Sequence, residues 1–406
     1  MSLSRPSRAS GSAAGDLDAA DPLAAHRGLF VQAPGVLAYL DGNSLGRPLT
    51  ASVERIGTFL GQEWGGRLIR GWDEGWLDLP LTIGDELGRV ALGAAPGQVA
   101  IGDSTTVLLY KLVRAALHAR PGRTEIVIDR DNFPTDRYVV EGIAADRGLT
   151  VRWVETDPAA GVTVELVEGV LGPATALVLF SSVAYRSGHL ADVEAITALA
   201  HAAGALTLWD LSHSVGVVPT RLDEWGVDLA VGCGYKYLNG GPGAPAFLYA
   251  RRELHDGVRQ PIQGWLGSAT PFEMGQGYAA AAGIRGFLSG TPPIVGMLAM
   301  RDMIALIDSV GLDAVRAKSV ALTSYAVQLC DELLPEAVLA SPRDAARRGG
   351  HITIDDDRFA ALMPVLWERG VIPDFRRPNG IRLGLSPLST SFAEVDLAVR
   401  TIRELL

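Results

Sequence analysis

From residue 99 to residue 250 the chain alternates between short apolar runs and longer stretches with apolar positions at helical spacing. The runs are Val99–Ile101, Glu125–Ile128, Val151–Glu155, Ala176–Phe180, Leu206–Trp209 and Asp228–Val231. The amphipathic stretches cover about 104–119, 135–147 and 191–203. Strand alternating with helix predicts a mostly parallel, doubly wound sheet with helices on both faces. Ligands bind such a sheet at the carboxyl ends of its strands. Helical patterning also covers about 51–70 and 80–94. The stretch 255–295 breaks the alternation; rich in Gly, Pro and aromatics, it reads as ordered loops. A long helical region begins at about 296, and strand-like His351–Ile354, Val371–Phe375 and Ile381–Leu385 follow, with a helix among them and another at the end. These features predict four parts: a disordered Ser/Ala/Gly/Asp-rich tail (1–22), an N-terminal segment (23–50), a large domain (51–295) and a small C-terminal α/β domain (296–406). Within the second part, Tyr39-Leu-Asp-Gly-Asn-Ser-Leu-Gly46 demands a turn.

Composition narrows the function. The 406 residues are 48% hydrophobic, enough for more than one average core. A net charge of -10 provides no basic field for nucleic acid. Apolar runs such as Ala174 to Ser182 are too short to span a bilayer. The first residues lack the apolar core of a signal peptide, which favours a cytoplasmic protein. Two cysteines, Cys233 and Cys330, fit a reducing compartment and exclude a disulfide framework or a Cys-based zinc site; no metal site is expected. Only three residues are lysines, Lys111, Lys236 and Lys318, so chemistry that needs a lysine has three candidates.

Four segments at strand-to-helix junctions carry the candidate chemistry. Asp210 ends the run Ala205-Leu-Thr-Leu-Trp-Asp210, and a buried acid there needs a partner. It is either a helix cap or ion-pair member, or a carboxylate that holds a pyridinium N–H. His213, three residues on, either orients that carboxylate, leans on a ring, or is structural. Lys236 lies in Gly232-Cys-Gly-Tyr-Lys-Tyr-Leu-Asn-Gly-Gly-Pro-Gly243, where glycines allow close backbone approach and the aromatics restrict the pocket. A lysine whose amine must be neutral enough to attack a carbonyl needs such a pocket. Lys111 and Lys318 fall on helical patterns with ordinary neighbours. Gly102-Asp-Ser-Thr-Thr106 opens a helix, and is either an anion site for a phosphate or a plain cap. Phe133, in Asn132-Phe-Pro-Thr-Asp136, either stacks on a flat cofactor or fills the core.

These segments together resemble the kynureninase family, fold-type-I enzymes of the aspartate aminotransferase superfamily that use pyridoxal 5'-phosphate (PLP). The resemblance runs from about residue 38 to the end, through Leu40–Gly46, Gly102–Thr106, Asn132–Asp136, Trp209–Ser214, Gly234–Gly243, Gly283–Arg285, Ser289–Ile294, Gly370–Arg376 and Arg382. It implies a large domain with a mostly parallel sheet, a small C-terminal domain, a homodimer, and hydrolysis of the amino acid L-kynurenine to anthranilate and L-alanine in tryptophan catabolism. It implies that Lys236 carries the cofactor and moves protons, Asp210 binds the pyridine nitrogen with His213 beside it, and Phe133 stacks on the ring near Asp136. Thr105, Thr106 and the Tyr235 hydroxyl serve the phosphate, and Tyr235 is also a proton donor. Trp265 and Thr291 match residues contributed across a dimer interface, Arg382 holds the substrate carboxylate, and Ser44, with Thr291, lies near the substrate ring. Three places depart from the family pattern: Ser268 after Gly267, Ser182-Val-Ala-Tyr-Arg-Ser-Gly188, and Pro387-Leu-Ser389. They leave open a reaction on 3-hydroxy- or ring-substituted kynurenine, whereas Gly290-Thr291 favours kynurenine itself. A different lyase on the same scaffold, or a binding protein that keeps the fold without catalysis, also stays open. A cysteine desulfurase needs a mobile nucleophilic Cys, and neither Cys233 nor Cys330 is so placed.

Overall fold

A computed structural model describes residues 13–406. Strand β1 (Ala38–Leu40) precedes seven strands that form one sheet: β2 (Val99–Gly102), β3 (Glu125–Asp129), β4 (Thr150–Val154), β5 (Thr175–Ser181), β6 (Leu206–Asp210), β7 (Leu229–Cys233) and β8 (Ala246–Ala250). Their order is β2-β8-β7-β6-β5-β3-β4. The block from β7 to β4 is parallel, and β8 runs antiparallel to both its neighbours. Strands covered on both faces carry apolar residues throughout, and β6, β7 and β8 are buried at every position. Successive side chains alternate faces. Val127, Phe180, Trp209 and Phe247 enter one core with the helices Val193–Ala202 and Ile294–Val310. Ile126, Leu179, Leu208 and Leu248 enter the other with Thr105–Ala119 and Pro134–Arg147.

A second, five-stranded sheet contains β9 (Val338–Leu339), β10 (His351–Asp355), β11 (Val371–Arg376) and β12 (Gly380–Gly384), in the order β1-β11-β12-β10-β9. The helices Leu312–Leu333 and Phe392–Leu405 pack on it through Leu322, Leu329, Val395 and Val399. β1 joins it in parallel to β11. Residues 38–40 thus lie in the small sheet, while Gly46 donates its N–H to the Tyr235 carbonyl in the large unit at 2.9 Å.

Two expectations need correction. Composition predicts disorder over residues 1–22. Residues 1–12 lie outside the described residues, but Ala13–Ala19 is a helix, docked where Asp18 accepts the free N–H groups of Phe392 and Ala393 at 3.1 and 3.0 Å. Those groups open the last helix, where a carboxylate is favoured. Helical patterning predicts ordinary surroundings for the two other lysines. Lys318 instead pairs with buried Asp21 at 2.5 Å. Lys111 is fully buried, with Nζ at 2.6 Å from Asp103, 2.7 Å from the Phe287 carbonyl and 2.5 Å from Ser289 Oγ.

Candidate active site

Past the carboxyl ends of β3, β6 and β7 the chain brings Phe133, Asp136, Asp210, His213 and Lys236 together. Lys236 follows β7 in a closed turn. Gly240 donates its N–H to the Gly234 carbonyl, and Asn239 to that of Lys236, both at 2.9 Å. Asn239 adopts φ 49°, a left-handed conformation that Asn tolerates. Its side chain donates to the Arg47 carbonyl at 2.7 Å, tying the turn to the N-terminal segment. The Lys236 side chain is 6% exposed, and Nζ lies 3.2 and 3.5 Å from the two ring nitrogens of His213. It sits 5.6 Å from the centre of the Phe133 ring and 5.7 Å from that of Tyr235. His213 therefore faces the lysine. Burial, and then the Lys236 charge, hold its pKa well below the usual imidazole value, so the ring is neutral.

Asp210 ends β6 and accepts the Ser212 N–H at 2.8 Å. Asp136, in the first turn of Pro134–Arg147, is 1% exposed, and neither carboxylate oxygen has a hydrogen-bond donor. Burial, then the facing carboxylates of Asp210 and Asp129, push its pKa well above the usual range; Lys236 acts against them. Asp129 itself is raised to about 7, chiefly by burial. Asp136 thus stands beside Asp210 and Lys236 with both oxygens lacking a donor. A bound group with a positively charged N–H fits that deficit, and a pyridinium ring with its aldehyde at Lys236 meets it. The cluster therefore fits PLP.

Arg382, on β12, is fully buried. Its guanidinium meets Ser44 Oγ at 2.5 Å, the Tyr185 carbonyl at 2.6 Å and Asp374 at 2.7 Å. Burial lowers its pKa to about 10, which leaves it cationic at neutral pH. Tyr185 packs edge-on against Phe133 at 5.4 Å, and this contact links the arginine group to the lysine group. Between the two units opens a cavity of about 450 Å³, whose walls include Asn132, Phe133, Ser181, Tyr185 and Arg186. Lys236 does not line it. Thr105 and Thr106 form the first turn of Thr105–Ala119, behind the cap Ser104, which accepts the Val107 N–H at 3.4 Å. Thr291 lies in a narrow crevice beside Gly102 and Asp103. Trp265 is 40% exposed and packs edge-on against Phe272 at 5.7 Å. Among the described residues no hydrogen bond or ring contact joins Trp265 or Thr291 to the lysine cluster.

Four residues of the site escape the sequence pattern. Tyr185 and Asp374 hold Arg382, and Asp129 stands at a strand end just as Asp210 does, which is the signal that could have found it. His351 opens a strand, and its position there gives no hint of chemistry. It is fully buried, 5.7 Å from the His213 ring, and neither ring nitrogen has a partner. Cys233 and Cys330 are buried, and burial raises the Cys330 thiol to about 12, so neither is a poised nucleophile. Among the described residues no helix is long and apolar enough to cross a membrane.

The family model for class-V aminotransferases matches residues 102–371. The chain is 39% identical over 399 residues to a kynureninase of Pseudomonas fluorescens, covering 96% of this chain and 94% of that one. It is 41% identical over 401 residues to a kynureninase of Deinococcus radiodurans, covering 96% and 95%. Similar solved structures include a cysteine desulfurase from Thermococcus onnurineus, with a TM-score of 0.80, 19% identity and coverage of 91% and 94%. A C-DES variant with glycine covalently linked to its PLP cofactor gives a TM-score of 0.82 at 19% identity, covering 93% and 99%. At that identity the two structures establish the fold alone.

Proposed function

We propose a hydrolase function from the following premise: the chain belongs to the class-V aminotransferase family and, within it, to the kynureninases. It is a PLP-dependent enzyme that hydrolyses L-kynurenine at the Cβ–Cγ bond, giving anthranilate and L-alanine. The observation that carries this reading is kinship over 96% of the chain with kynureninases at about 40% identity.

PLP, when bound, supplies an electron sink for the bonding pairs released at the substrate α and β carbons. Lys236 would anchor it. Asp210, with Asp136 close by, would keep a proton on the pyridine nitrogen. Phe133 would stack on the ring, and the first turn at Thr105 and Thr106 would take the phosphate, as helix starts do. Lys236 can move the proton from the substrate α carbon, because its neighbour His213 is neutral and does not compete for charge. Burial raises the Tyr235 phenol far above neutral pH, so it stays protonated and can deliver a proton to the β carbon after cleavage. Arg382 binds the α-carboxylate by exchanging its Ser44 contact for the substrate, which places Ser44 next to the bound amino acid.

The working form is a homodimer in the cytoplasm, with Trp265 and Thr291 offered to the partner's site. Their exposure, with that of Ile69 and Met274, each 76% exposed, supports a covered face. Kynurenine is preferred over 3-hydroxykynurenine, on the Gly290-Thr291 pair. The test is anthranilate fluorescence on adding L-kynurenine to PLP-loaded protein, with Lys236→Ala as control and 3-hydroxykynurenine alongside. Turnover lost in the variant supports the assignment. A folded, cofactor-loaded protein that releases no anthranilate overturns the substrate and leaves the cofactor.

A further inference from the structure

Two guanidinium groups lie near each other where the large and small units join, and among the described residues neither pairs with a carboxylate. Arg316, on the helix Leu312–Leu333, donates to the Ala345 and Arg348 carbonyls at 3.1 and 2.8 Å through one terminal nitrogen. Its other terminal nitrogen is buried and has no partner. Arg348 is 1% exposed and donates only to the carbonyls of Pro342 and Arg343 and to Ser324 Oγ; its Nε has no partner. Ser319, one turn from Arg316, is fully buried with an unpartnered hydroxyl. Burial, and then the charge of Arg316, depress the Arg348 pKa, with Asp344 the only acid acting against them. A buried cation without an anion is costly. Arg348 and Ser319 lie behind Arg316 and do not line the cavity beside it, so Arg316 is the cation that an anion there would meet.

Arg316 lines this cavity, which has a volume of about 440 Å³ and is distinct from the one at Phe133, sharing Ala191 alone with it. Its walls include Leu190, Val193, Val218 and Trp225, with exposed Asp192 and Glu194 at the rim. The volume falls in the range of small-molecule sites, roughly 300–1,000 Å³. A guanidinium on the cavity wall with no carboxylate partner selects a carboxylate, apolar walls select a hydrophobic body, and the acidic rim disfavours a second negative charge. We propose that this cavity is a second small-molecule site, which takes a monocarboxylate with an apolar, ring-sized body. Its inner wall includes Ser214, which bonds Ser182 at 2.7 Å, and the Ser182 N–H holds the Asp210 carbonyl at 2.9 Å. An occupant therefore touches the support behind Asp210.

The test uses PLP-loaded protein and 4-bromobenzoate, read by bromine anomalous diffraction in crystals and by titration calorimetry in solution. The expected result is a bromine peak in the cavity with the carboxylate on Arg316. A matching calorimetric event should weaken at least tenfold in Arg316→Gln, which removes the cation, and in Val218→Trp, which fills the void. A bromine peak only beside Lys236, no peak, or a peak without a calorimetric event sensitive to these variants (binding at crystal concentration only) overturns the proposal. Should Arg316→Gln fail to fold, Val218→Trp and the wild-type peak decide. Because binding is read directly, the result is independent of whether kynurenine is the substrate.

Discussion

Lys111→Met removes the ammonium and keeps most of the side-chain volume. Lys111 Nζ bonds Asp103, the Phe287 carbonyl and Ser289 Oγ, and Ser289 Oγ itself donates to Asp103 at 2.9 Å. This node closes the turn that opens Thr105–Ala119 onto the loop that leads to Thr291. It also holds Asp103 at φ 46°, a left-handed conformation that is uncommon outside glycine. Breaking a buried ion pair by removing one partner typically costs about 3–5 kcal/mol. Here the Asp103 side chain is 26% exposed and can rehydrate, which reduces that cost. The Phe287 carbonyl cannot, and a buried acceptor left unsatisfied costs about 1–3 kcal/mol. The two considerations together give a loss of roughly 3 kcal/mol. Urea unfolding of the cofactor-free protein measures it, from the shift of the midpoint at constant slope. The same variant loosens the predicted phosphate turn, so PLP affinity falls by about tenfold or more, a change of about 1.4 kcal/mol. A midpoint within experimental error of the wild type, with unchanged PLP affinity, would refute the reasoning that Lys111 holds this turn.

Asp18→Ala releases the N–H groups of Phe392 and Ala393 and should cost about 1–2 kcal/mol, as loss of a helix cap does; thermal melting checks this, with hydrogen exchange at residues 392–393 rising first. Gly46→Ala places a Cβ on the Lys236 carbonyl and the Asn239 side chain, so the lysine turn must shift; kcat should fall at least tenfold while the protein still folds, and wild-type turnover would sink this reading. His213 and His351 have pKa values held well below 6.5 by burial first. The unfolded chain then binds protons that the folded one refuses, so each ring lowers stability as pH falls below about 6.5, by up to about 1.4 kcal/mol per pH unit. Asp129, raised to about 7, and Asp41, raised to about 6, act oppositely, adding stability as pH falls from those values towards the unfolded carboxylate range. His351→Phe isolates one ring: relative to wild type it should gain stability steadily below pH 6.5, and a stability difference that stays flat from pH 7 to 5 would count against the buried neutral imidazole.

The parts of the site legible in the sequence are those fixed by local chain geometry. Asp210 ends an apolar strand, and Lys236 sits in a glycine-rich turn after the next strand, so a few neighbouring residues reveal each. Arg382 is different: its Ser44 partner lies 338 positions away, and only the resemblance picks it out. Ala13–Ala19 shows the same limit. A helix of 7 residues is marginal in water on its own, which is why composition predicts disorder where the structure has a helix. It orders because Asp18 finds two free N–H groups on the last helix, a fact no local pattern contains. Lys111 and Lys318 lie on helical faces that periodicity cannot label as buried, because the acids that neutralise them, Asp103 and Asp21, sit outside that period. The scarcity of lysine is the better signal: in a chain that takes arginine almost everywhere, each of the three lysines proves to occupy a buried position. The strands place the reacting residues, and long-range contacts between β1, the Lys236 turn and β12 set their distances. Substitutions at those contacts should therefore alter turnover without touching a reacting atom, as Gly46→Ala is expected to do.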